Sequence, residues 1–97
     1  MDFRKASRDS KSAQVHFIFT ELYTGLTFAL IAHQATKREA RLRNRSHARA
    51  AYDCIVRFVD RVSMTREESR EVHTRMSSLR ERLQDLGEKL PAPPQPT

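Results

Sequence analysis

From Ser10 to Leu86 the chain contains no proline and a single glycine, Gly25. Proline removes a backbone donor and glycine loosens the backbone, so turn-rich β folds use both freely while long helices exclude them. The composition of this stretch is therefore hard to reconcile with a turn-rich β fold and predicts an all-α fold made of a few long helices. All four prolines lie beyond Leu90, in PAPPQPT. That segment cannot continue a helix, and a Pro-rich disordered tail is expected over residues 89–97. Pro91 and Pro94 form a minimal Pro-x-x-Pro match, too short to outweigh a solvated tail.

Three apolar stripes at helical spacing follow one another. Val15, Phe19, Leu22, Leu26 and Ala29 recur at intervals of four and three. Phe17, Ile18, Phe28, Leu30 and Ile31 add apolar surface off that line. A helix with more than one apolar side must be covered on more than one side, either as the central helix or in an oligomer interface. The second stripe is Ala48, Tyr52, Ile55, Val59 and Val62, widened by Ala51 and Phe58. The third, Val72, Met76, Leu79, Leu83, Leu86 and then Leu90, is narrow and flanked by charge, which places its helix on the outside.

The junctions carry local signals. TREE places Thr65 as an N-cap with Glu68 three residues on, a capping box. Gly87 stands where a left-handed residue ends a helix. Only Ser63 and Met64 separate Val62 from Thr65, so the second and third helices form a tight hairpin. Asp53 and Arg57, like Glu71 and Arg75, are acid-before-base pairs four apart. The first junction falls within residues 35–46: either TKRE caps the second helix from Thr36 to Glu39, or Asn44 or Ser46 does. The expected architecture is a small antiparallel three-helix bundle over residues 12–88 with heptad-like packing. A flexible N-terminal segment, residues 1–11, precedes it.

A chain of 97 residues is one domain and buries a modest share of its surface, so association with a partner would help it. The apolar run Val15–Ala32 has about the length needed to cross a bilayer. His16, Glu21 and three threonines interrupt it, and a buried helix is expected in place of a membrane span. HQATKREA, which follows, makes a poor cleavage site for a secretory signal. The single Cys54 cannot form an internal disulfide, which fits a reducing, cytoplasmic location.

Side-chain chemistry is sparse. His16, His33, His47 and His73 each lack an acid three residues before or a second histidine four away, so no metal or other cofactor is expected. Cys54 has no histidine within reach in sequence and reads as a small residue at the core edge, not a nucleophile. Glu21, inside the apolar run, reads as a structural ion pair with an arginine of another helix or as an exposed position. Without a phosphate-cradling loop or a carboxylate pair on one face, the chain is not expected to be an enzyme.

Surfaces remain. Residues 37–49 carry six basic side chains (Lys37, Arg38, Arg41, Arg43, Arg45 and Arg49) against Glu39, which is +5 of the net +6. On a helix Arg38, Arg41 and Arg45 fall on one line and could track phosphates. The stretch has no aromatic for base stacking and no second basic element, so a solvated corner is the commoner outcome and polyanion binding the alternative. Phe17, Tyr23 and Phe28 are the candidate interface residues, with core filling as the competing role. ARAAYDCIVRF, Ala48 to Phe58, resembles the second helix of tetratricopeptide-type and microtubule-interacting-and-transport-type hairpins, which follow alanines with a tyrosine. It spans eleven of 97 residues and assigns no family. The functional expectation is a non-catalytic protein-interaction or assembly module, partnered with itself through the first helix or with another protein. Nucleic-acid or anionic-surface binding through residues 37–49 is the rival.

Overall fold

The computed structural model describes the backbone of residues 3–91 and the side chains of residues 10–91. Within that range the chain forms three helices and no strand: α1 (Phe3–Gln34), α2 (Arg38–Phe58) and α3 (Arg66–Asp85). Residues 92–97, which hold most of the expected tail and Pro94, lie outside the described residues.

α1 starts earlier than the sequence pattern implies. From Phe3 onward the segment expected to be flexible continues the helix. No proline or glycine opposes it, and extending an existing helix costs far less than nucleating one. At 32 residues, α1 is about 48 Å long and is the longest of the three helices.

α1 packs against both other helices, most extensively against α2. Phe17 meets Phe58 and Phe28 meets His47, so numbers rise along α1 as they fall along α2. Tyr52 meets Arg80 and Arg45 meets Leu86, the same opposed order between α2 and α3. The line of α1 that is buried differs from the expected stripe. It runs Val15, Ile18, Leu22, Gly25, Ala29 and Ala32, while Phe19 and Leu26 sit half-buried beside it. Small residues decide this phase, because Gly25 approaches Ala51 and Leu79 too closely for a larger side chain to face them. Ile55, Leu79 and Leu83 complete the core from the other two helices.

The third helix begins and ends as its sequence indicates. Glu68 N–H donates to the Thr65 hydroxyl at 3.1 Å, and Thr65 N–H donates to the Glu68 carboxylate at 2.8 Å. A cap of this kind contributes about 1 kcal/mol. At the other end Gly87 adopts φ 95°, Glu88 N–H bonds Leu83 O and Gly87 N–H bonds Gln84 O, both at 2.9 Å.

The second hairpin is looser than a continuous stripe implies. α2 stops at Phe58, and a 3₁₀ turn over Val59–Arg61 leads into extended backbone at Val62. Side chains alternate along an extended strand, so Val62 and Met64 both reach the core while Ser63 and Thr65 face water. At the first junction the N-cap is Lys37, with no side-chain cap, so neither TKRE nor Asn44 nor Ser46 caps α2. Asn44 lies within α2 and donates to Ala40 O at 2.8 Å. Arg41 reaches back to Ala35 O at 3.4 Å, over the end of α1.

Candidate functional site

The six basic residues of the elbow between α1 and α2 divide into two sets. Arg45 and Arg49 are half-buried and bound within the chain. Arg45 donates to Leu86 O at 2.9 Å and pairs with Glu88 at 3.3 Å. Arg49 pairs with Asp53 at 3.0 Å and with Glu88 at 3.3 Å. Asp53 first, with Glu88 adding to it, raises the Arg49 pKa above its ordinary value. A cation at the last carbonyls of α3 also complements the negative end of the helix dipole. Asp53 therefore turns to Arg49, four residues before it, and not to Arg57. Arg75 and Glu71 do form the expected pair, at 2.7 Å.

The other four cations are exposed and, among the described residues, have no carboxylate partner: Lys37, Arg38, Arg41 and Arg43. The line of Arg38, Arg41 and Arg45 is thus split, since its last member closes the bundle.

The three candidate interface aromatics are also separated. Phe28 is half-buried against the His47 ring, centroids 4.9 Å apart. Phe17 packs edge-to-face on Phe58 at 6.4 Å, at the seam of α1 and α2. Tyr23 alone stands clear, 70% exposed. It belongs to a line the sequence pattern does not announce: His16, Thr20, Tyr23, Thr27, Leu30 and Gln34, all exposed, at intervals of four and three. Leu30 is 44% exposed, and Ile31 beside it 43%. No residue of this outer stripe is charged. Between this stripe and α3 runs a shallow groove lined by Tyr23, Leu26, Thr27 and Leu30 of α1 and by Ser78 and Arg82 of α3. From Ser10 to Gln34, α1 is long and apolar enough to cross a membrane by length and composition, and 33% of its apolar window is buried in the bundle.

Cys54 is half-buried on α2. Burial pushes its thiol pKa up, the Glu21 carboxylate adds to the rise, and Arg57 opposes it. Among the described residues Glu21 forms no salt bridge, so of the two readings for it the arginine pairing is not made, and the side chain is half-buried. The thiolate is the reactive form, and a raised pKa lowers its share at any pH below that pKa. Alkylation of Cys54 by iodoacetamide at pH 8 should therefore run slower than that of free cysteine and steepen at higher pH. Glu21→Gln removes one source of the rise and should speed the reaction; an unchanged or slower rate would contradict this assignment.

His73 bonds its own helix, ring Nδ1 to Ser69 O at 2.7 Å. Among the described residues no three His, Cys, Asp or Glu side chains gather at metal-binding distance. No protein-family model matches the chain, and no curated protein or solved structure is significantly similar to it.

Proposed function

We propose that the chain is a non-catalytic assembly module that pairs with a second copy of itself through the outer face of α1. The supporting observation is the exposed, uncharged line from His16 to Gln34, with Tyr23 and Thr27 at its centre and Leu30 one turn on. A solvated helix face ordinarily carries charge. Two copies laid antiparallel about an axis between Tyr23 and Thr27 set Tyr23 of one against Thr27 of the other, and Thr20 against Leu30. Each copy carries +6, yet the stripe itself brings no charged side chain to this contact, Arg82 of α3 stands at its edge, and the two basic elbows fall at opposite ends.

One helix face is a contact at the small end of specific interfaces, so the dissociation constant should be on the order of micromolar. Tyr23→Glu combined with Leu30→Glu changes only exposed positions and should weaken pairing at least about a hundredfold, roughly 3 kcal/mol, because both charges become desolvated in the dimer. Sedimentation velocity reads the association and circular dichroism checks that the helices persist. Pairing as strong as in the parent chain would sink this reading.

A second reading rests on the four unpaired cations. If Lys37, Arg38, Arg41 and Arg43 bind a polyanion, log K should fall against log salt with a slope of about −3 to −4, as four phosphate contacts require. A slope near zero, or one that survives Arg38→Glu with Arg41→Glu, would exclude it.

A further inference from the structure

The chain does not end with α3. Gly87, at φ 95°, turns it back, and Glu88–Leu90 runs against both α2 and α3. Arg45 holds the carbonyls of Leu86 and Gly87, at 2.9 and 3.4 Å. The Glu88 carboxylate bridges Arg45 and Arg49, each at 3.3 Å. Arg49 also donates to Lys89 O at 3.2 Å, and Arg80 to Leu90 O at 3.5 Å. Arg80 is itself steadied by the buried Tyr52 hydroxyl at 3.0 Å. Leu90 packs half-buried on the core. The strap thus advances alongside α2, from Arg45 to Arg49 to the level of Tyr52, along the seam between α2 and α3, the least extensive of the three helix–helix contacts.

This seam has the chemistry of a peptide groove. Its arginines grip main-chain carbonyls, which every extended peptide offers. Selectivity comes from two side chains only, a carboxylate between Arg45 and Arg49 and a leucine two residues later. The ion pairs are partly solvent-exposed, and pairs of that kind are individually weak, so a competitor can displace them. A covalently attached strap, however, has a high effective concentration and masks the groove from weak ligands.

We propose that the α2–α3 seam is a docking groove for an extended acid-x-leucine segment of a partner protein, and that Glu88–Leu90 is its intramolecular occupant and competitor. The groove lies away from the outer stripe of α1, so the two surfaces act independently.

The test uses the full chain and a fluorescein-labelled peptide with the strap sequence LGEKLP. Leu90→Asp and, separately, Glu88→Lys release the strap. Each variant should bind the peptide at least about tenfold more tightly than the parent chain by fluorescence anisotropy. That binding should be lost when Arg45→Gln and Arg49→Gln are added. Affinity no tighter than that of the parent, or affinity indifferent to the two arginines, would overturn the proposal. If neither strap variant keeps its helical circular dichroism signal, unlabelled peptide is titrated into the ¹⁵N-labelled parent chain. Saturable shifts of the Glu88, Lys89 and Leu90 amides support displacement, and unmoved resonances at millimolar peptide refute it.

Discussion

Gly25→Leu should cost the bundle about 3 kcal/mol or more, measured by chemical denaturation. A bare Cβ at this position would already lie 2.8 Å from Leu79 Cδ2 and 3.2 Å from Ala51 Cβ. The Leu79 methyl can swing aside. Ala51 Cβ is fixed to the backbone of α2, so relief there means moving one helix away from the other. Gly25→Ala is a milder case with opposing terms: alanine gains about 1 kcal/mol of helix propensity, and crowding against Ala51 takes back a similar amount. The leucine variant has no such offset beyond propensity, and its extra carbons have no space to enter. A loss below about 0.5 kcal/mol would mean that α1 and α2 do not meet at Gly25 and Ala51.

Leu79→Ala should cost about 2–5 kcal/mol. Leu79 is fully buried where the three helices meet, touching the space around Gly25. Truncation there removes contacts to all three helices and leaves a cavity that rigid neighbours fill only in part. A domain of this size has roughly 5–15 kcal/mol of stability in total, so the variant should show a clearly lowered denaturation midpoint. The two substitutions are also coupled. Leu79→Ala vacates part of the volume that Gly25→Leu needs, so the double variant should lose at least about 1 kcal/mol less than the sum of the singles. Strict additivity would place the two side chains in separate parts of the core.

These sites show which parts of the fold were legible. The start and end of α3 were readable because their signals are local: Thr65 and Glu68 satisfy each other across three residues, and Gly87 supplies a conformation other residues resist. The narrow stripe of α3 had one possible phase, and Val72, Leu79 and Leu83 are buried on it. α1 was harder. Apolar residues surround it, so the pattern of hydrophobicity alone did not select the inner line. The selection comes from Gly25, whose backbone lies close against Ala51 of α2 and Leu79 of α3, which is a property of the packed helices together.

The basic stretch was misleading for a similar reason. Nothing near Arg45 or Arg49 in sequence announces Glu88, which lies about forty residues away, yet that carboxylate withdraws both from solution. Asp53 had arginines four residues away on either side, and local spacing favours neither by much. Arg49 also neighbours Glu88, so the cluster of opposite charges forms on that side. The outer line of α1 was hidden because threonine, histidine and glutamine do not register as apolar. Only exposure, combined with the absence of charge, reveals it.

On this proposal a second copy sits on the uncharged face of α1. Sedimentation equilibrium of the unaltered chain, loaded from about 1 to 500 µM around the expected micromolar dissociation constant, tests it most directly. The weight-average mass should climb with concentration from 11.3 kDa toward twice that value. A mass of 11.3 kDa at every loading would contradict it.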